Sequence, residues 1–237
     1  MNYDKKSMYS IIMMLVISAL LFTNYSSAVT NNPNIDPQFE DNNKLLSNCT
    51  EETSFQSKDD IKEIAEQYEL GDPTEIDEII YVPITSSNEL NEEITISPYE
   101  LGKEEFYIKK KGSYEKKGSL IQSSEFRYPG GTMKVGKKLS RSYNFNAASG
   151  VEVSNSIVKA ELKASYGFSV SGTDYVEHTQ KVKVAKGCKR KVKAYRNLLC
   201  YNYELWEDDI KFDDYYGKGV VYRPIGVIFT VGKNTKI

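Results

Sequence analysis

The chain predicts a mainly β protein: an elongated antiparallel β-sheet or sandwich with one short N-terminal helix (about 57–70) and a long amphipathic β-hairpin (141–170). Three observations carry that prediction. Short runs of β-branched and aromatic residues, such as IIYVPI at 79–84 and VVYRPIGVIFTV at 220–231, recur from residue 79 to the end. Only one stretch, SKDDIKEIAEQYELG, gathers its apolar residues at helical spacing. Finally, apolar and polar residues alternate over two unusually long arms between 141 and 170.

The N-terminus reads as an export signal. Lys5 and Lys6 precede the apolar run Ile11–Phe22, and Ser26-Ser27-Ala28 offers small residues for cleavage. The expectation is a signal peptide at 1–28 and a secreted, extracellular protein. An acidic leader carrying the helix follows at 29–78, and then an antiparallel β domain at 79–237. In the helix, Ser57 is the expected N-cap and Asp59 and Asp60 lie in the first turn. Ile61, Ile64, Ala65 and Tyr68 share a face, and Gly71 and Pro73 stop the run.

Further strands are expected at 93–97, 105–111 and 119–128. The KKGS sequences at 110–113 and 116–119 read as turns, as do Pro129-Gly130-Gly131 and DDYYGKG at 213–219. Pro224 implies an edge strand or a bulge. Were Cys188 and Cys200 on one extended strand, they would be roughly 40 Å apart and unable to pair; Cys49 makes the count odd.

The hairpin arms support each other. Tyr143, Phe145, Val151 and Val153 fall on odd positions; Val158, Leu162, Tyr166, Phe168 and Val170 fall on even ones. A four-residue turn at Ser154–Ile157 that pairs Val153 with Val158 brings all these side chains to one face. Each arm exceeds the ordinary strand of about 5–6 residues and reaches the roughly 9–11 that cross a bilayer. The same alternation also suits a sheet lying over an ordinary core. Lipid and core therefore both remain open as what that face touches.

Charge is divided unevenly. Residues 29–105 hold 20 acidic and 4 basic side chains, a net of −16, and residues 106–200 hold 6 and 20, a net of +14. Lys181, Lys183, Lys186, Lys189, Arg190, Lys191 and Lys193 form the most basic stretch, suited to a membrane or an anionic cell surface. An exported chain without a recognised module argues against nucleic acid as partner.

Catalytic, cofactor-binding and metal-ligating residues are expected to be none, and an enzyme is not expected. His178 is the only histidine and has no nucleophile motif beside it. Asp208, Asp209, Asp213 and Asp214 lack EF-hand spacing. Glu92-Glu93 and Glu104-Glu105 are sequence neighbours that point to opposite strand faces, unlike a glycosidase pair.

The long Ser/Ala-rich hairpin followed by HTQKVKVAKGCKRKVKAY resembles β-pore-forming proteins of the aerolysin/epsilon-toxin type over residues about 139–206. Ala185 and Lys186 stand where that family usually has prolines. The resemblance implies elongated β-architecture, a receptor-binding part, a homo-oligomeric ring and a membrane-inserting hairpin. The alternative function is a secreted, non-lytic surface-binding β-sandwich.

Overall fold

The structure, a computed structural model, describes residues 46–84, 105–208 and 212–237. The expected signal peptide, the expected leader up to residue 45, the strand expected at 93–97 and Asp209 lie outside the described residues. The elements in order are β1 (Thr53–Phe55), α1 (Lys58–Gln67), β2 (Ile76–Pro83), β3 (Glu105–Arg127), β4 (Gly130–Ser140) and β5 (Ser142–Ala147). Then come α2 (Asn155–Tyr166), β6 (Thr173–Lys183), β7 (Cys188–Asp208), β8 (Asp214–Gly232) and β9 (Thr235–Lys236). The fold is mainly β and every strand pairing is antiparallel.

One sheet runs β1-β2-β8-β7-β3, with β5 on β8 and β9 on β7; β4 and β6 form a separate two-stranded sheet. β2 pairs with Gly226–Gly232 of β8, and β5 with Gly217–Tyr222, so the two short strands share one edge of β8. Pro224 sits in the gap between them, and β8 bulges at Ile225, opposite Asn197 and Leu198. A residue without an N–H donor is tolerated there because neither strand calls on it. The boundary drawn at residue 78 falls inside β2.

Two expected strands are one. β3 runs unbroken through both KKGS sequences, which mark bulges against β7 rather than turns. Gly112 takes a positive φ of 97° at the first. At the second, a Cβ on Gly118 would stand 2.9 Å from that of Arg196. The extra residue of each bulge lets a long strand coil without losing its partner. Likewise, the turn expected at 213–219 is the start of β8. Cys188 and Cys200 lie on β7, and all three cysteines are free.

Side-chain parity along β7 assigns the layers. Tyr195, Tyr203 and Leu205 point to one face, where α1 packs at one end and α2 at the other. Val192 and Ala194 point to the opposite face, where Met133, Val135, Leu139, Val176 and Val182 of the β4–β6 sheet cover them. The far end of that second face, around Glu204 and Trp206, carries no covering element among the described residues.

The expected hairpin is the main correction. Residues 142–147 are a strand, but 155–166 form a helix, so Val153 and Val158 do not pair across a turn. The reason lies in which apolar residues are large. Val158, Leu162 and Tyr166 are spaced by four, which satisfies a strand's period and a helix's equally. The residues that would decide for the strand, Ala160 and Ala164, are small, and they are exposed on the helix. Ala, Leu, Lys and Glu also favour the helix intrinsically. Ser154 caps it, accepting from Ile157 N at 3.4 Å, and Gly167 ends it with φ 73°. Val153 and Val158 join one cluster as a staple across that cap.

Candidate functional site

β4 and β6 pair from Gly130↔Lys183 through Ser140↔Thr173, so residues 141–172 are the connection of one hairpin. At its root, Arg141 and Asp174 make a bidentate pair: Nε donates to Oδ2 at 2.8 Å and Nη2 to Oδ1 at 2.6 Å. The side chains are 3% and 6% exposed. Arg141 N also donates to the Gly172 carbonyl at 2.9 Å, and its guanidinium stands 5.3 Å from the Phe168 ring. Two charges this deeply buried persist only because they are paired and held in fixed geometry.

Beyond the root the segment lies on the sheet. Val158 and Leu162 of α2 are fully buried against Tyr203, Leu205 and Val221. The Tyr166 ring packs 4.9 Å from Tyr201 and 6.0 Å from Phe168, and its hydroxyl donates to the Asn202 carbonyl at 3.4 Å. Burial, and next the neighbouring Tyr201, push the Tyr166 phenol well above its ordinary range. Phe145 stacks on Tyr203 at 6.4 Å. Of the residues expected in the hairpin, Tyr143, Phe145, Val153, Val158, Leu162, Tyr166, Phe168 and Val170 share this cluster. Val151 stands apart in a turn closed by its N–H on the Ala148 carbonyl.

The basic residues do not form one patch. Lys181 and Lys183 are exposed on the outer side of the β4–β6 sheet, whose inner side is the Val176 and Val182 side. Lys186 lies in the β6–β7 turn. Lys191 and Lys193 share the parity of Tyr195 and so face the helix side of the main sheet. Lys189 pairs with Glu125 at 3.2 Å. Arg190 is structural: it pairs with Asp77 and donates to the carbonyls of Gly232 (2.7 Å) and Lys183 (3.1 Å). Sequence reasoning missed Lys134 and Lys138, exposed on β4 on the same outer side of the pair as Lys181 and Lys183 of β6. Their parity, opposite to Met133, Val135 and Leu139, was the available signal.

The geometry defines a class: a mainly β protein with long bulged strands and a two-stranded sheet whose connection folds as a strand and a helix. No family model and no curated protein matches the sequence. Among solved structures, the chain is similar to a candidate pore-forming toxin from Bacteroides vulgatus at 13% identity and a TM-score of 0.27. The match spans 56% of this chain and 57% of that one. So faint a likeness leaves function to the geometry.

Proposed function

We propose that the protein is secreted and membrane-active, and that residues 141–172 convert from the docked strand and helix into a β-hairpin that enters lipid, in the manner of a β-pore-forming protein. The register of β4 and β6 carries this reading. Continued past Ser140↔Thr173, it sets Tyr143 opposite Val170, Phe145 opposite Phe168, Val151 opposite Leu162 and Val153 opposite Ala160. The apolar parity thus runs in phase from the folded β4–β6 pair into the segment it encloses. A random insertion would have even odds of breaking phase, because a one-residue slip exchanges the faces.

Arms at 143–153 and 160–170 have the roughly 9–11 residues that a membrane strand needs. Tyr143, Phe145, Tyr166 and Phe168 would collect at the root end, as an interfacial girdle. On the outer side of β4 and β6, Lys138 stands nearest this root, and Lys134, Lys181 and Lys183 follow toward the opposite end of the pair, a basic face open to an anionic surface. A second reading, a surface-binding protein that never inserts, is favoured by the double capping and full burial that hold α2 in place.

Leu162 is unsuitable for a charge test because it is fully buried under α2. Ala160→Arg and Ala164→Arg separate the readings, since both alanines are exposed on the helix yet share the apolar face of the hairpin. A cation on a barrel's lipid face costs about 2–4 kcal/mol near mid-membrane. Both variants should melt like the parent; Ala164→Arg, at mid-arm, should lose most dye release from phosphatidylcholine/phosphatidylglycerol vesicles, Ala160→Arg, at the tip of its arm, should lose less, and Lys159→Ser should keep it. A parent that releases no dye, or an Ala164→Arg variant of full activity, would overturn insertion.

A further inference from the structure

The uncovered end of the second sheet face holds a feature that the hairpin does not use. Tyr107, Trp206 and Tyr215 stand side by side on three adjacent strands, β3, β7 and β8. The Trp206 and Tyr215 rings lie 5.2 Å apart at 59°. The Lys109 ammonium sits over two of these rings, 3.8 Å from the Trp206 centroid and 5.4 Å from that of Tyr107, and lies 3.7 Å from Asp213 Oδ2. The Tyr107 hydroxyl donates to the same carboxylate oxygen at 2.7 Å, which aims it into the group. Trp206 Nε1 donates to Glu204 at 3.0 Å, fixing the indole plane, and Lys111 lies 3.5 Å from that glutamate.

Two aromatic faces and a carboxylate around one cation form the arrangement that recognises alkylammonium groups. The chain's own lysine fills it, reached from the edge strand and still 41% exposed. A primary ammonium gives up little on leaving, because water solvates it well. A quaternary ammonium is poorly hydrated and gains more from the rings. Once displaced, Lys109 would stand beside the vacated position with Lys111 near it, offering positive charge to an anion a few ångströms from the cage. Cation acceptor and anion donors side by side match a zwitterion, whereas the Lys134–Lys183 face matches anions only.

We propose that Tyr107, Trp206, Tyr215 and Asp213 form a cage for the choline group of a phosphocholine lipid headgroup, with Lys109 as the internal occupant that exchanges onto the phosphate. The proposal rests on the membrane-active reading for its target and adds the lipid chemistry that first docks the protein. Exposed Phe212, next to Asp213, would then meet the interface alongside the cage.

Trp206 is the only tryptophan of the chain, so its fluorescence reports on the cage directly. Titration of the full protein with tetramethylammonium and with phosphocholine should give a saturable change that sodium chloride at equal ionic strength does not. Lys109→Met should tighten tetramethylammonium several-fold by removing the competitor, which a merely structural lysine would not do. Asp213→Asn should weaken both ligands by about tenfold, the scale of one desolvated charge contact. Phosphatidylcholine vesicles should shift Trp206 to the blue more than phosphatidylethanolamine vesicles do.

No saturable response, an equal response to sodium chloride, or a response to neutral saccharides in place of phosphocholine would overturn the cage. Binding of soluble phosphocholine without preference for phosphatidylcholine vesicles would overturn its lipid source. Dye release run on the same vesicles keeps the two proposals apart. Release that Ala164→Arg abolishes, from a protein whose Trp206 ignores choline, would keep the hairpin and remove the cage.

Discussion

The two helices lie on the same face of the same sheet, and they are held in different ways. α1 gathers Ile61, Ile64 and Ala65 at a spacing that only a helix brings together, with Tyr68 closing the stripe at its C-cap. It is also pinned by buried polar bonds. The Tyr68 hydroxyl donates to Glu115 Oε2 at 2.6 Å, Asn197 Nδ2 donates to the same oxygen at 2.9 Å, and Ser47 N donates to Oε1 at 2.9 Å. Lys117 donates to the Glu69 carbonyl just past the helix end, where a cation also suits the helix dipole. α2 has an apolar spacing that two structures can use, and its docking is mainly apolar contact. A network of directional bonds fits one arrangement. An apolar face accepts any partner that removes it from water, lipid included.

The largest effect should come from the root of the α2 segment. Asp174→Ala would leave the buried Arg141 guanidinium without its carboxylate, costing about 3–5 kcal/mol. Urea denaturation of the single variants and of Arg141→Met/Asp174→Leu checks this. The double replacement should recover most of the loss, because the pair's own desolvation cost goes with it. A loss below about 1 kcal/mol, the range of exposed pairs, would show that the root holds without this bond.

Next come the two buried helix faces. Leu162→Ala and Ile64→Ala should each cost about 2–5 kcal/mol, as both side chains are at most 1% exposed. Their consequences should differ. Hydrogen exchange should show Leu162→Ala releasing amides of 155–166 while the sheet and α1 keep theirs, as expected of a separable layer. Ile64→Ala should lower protection throughout, because α1 shares its core with Ile79, Tyr81 and Ile228 of β2 and β8. Equal, global losses from both variants would erase the distinction between a fixed helix and a convertible one.

That distinction explains what could be read from the sequence. α1 was legible, cap included, because Ser57 accepts from Asp60 N as the pattern requires. β2, the 220–231 part of β8 and the bulge beside Pro224 were legible from local chemistry. The joining of 105–127 into one strand was not, because glycine marks a bulge and a turn alike. Nor was α2, since Ala160 and Ala164 fit either period and only Tyr203, Leu205 and Val221, distant in sequence, decide between them. The apolar side chains expected on the hairpin gather in one cluster, Val151 apart, but from a strand and a helix, and the basic residues form no single patch. The cage escaped because Tyr107 and Lys109 stand far before Trp206, Asp213 and Tyr215 in the chain, and only the pairing of β3, β7 and β8 brings them together.

The caps should separate the helices by a smaller margin. Ser57→Ala and Ser154→Ala each remove an N-cap, a change worth about 1 kcal/mol. Ser57 accepts at 3.1 Å and Ser154 at 3.4 Å, so the second loss should be the smaller in thermal melts. The reverse order would mean that α2 relies on its own capping more than on the sheet beneath it.

The smallest effect concerns pH. Glu161 is half-buried on α2, and its carboxyl is raised above its ordinary range, first by desolvation and then by the negative Glu105 of β3. A raised carboxyl means that the docked helix holds a proton at pH values where the undocked segment has lost it. Docking therefore gains stability as pH falls through that window, and loses it as pH rises through the folded value. Above the folded value the penalty is fully present. Glu161→Gln should remove it, stabilising α2 there by about 0.5 kcal/mol or less and flattening the pH dependence of exchange across 155–166. The direction matters for how the segment is released. Through Glu161, acid tightens the docked form, so this group opposes an acid trigger. If hydrogen exchange of 155–166 instead speeds up in mild acid, and does so equally in Glu161→Gln, another titrating group governs the helix and Glu161 is only a bystander on its rim.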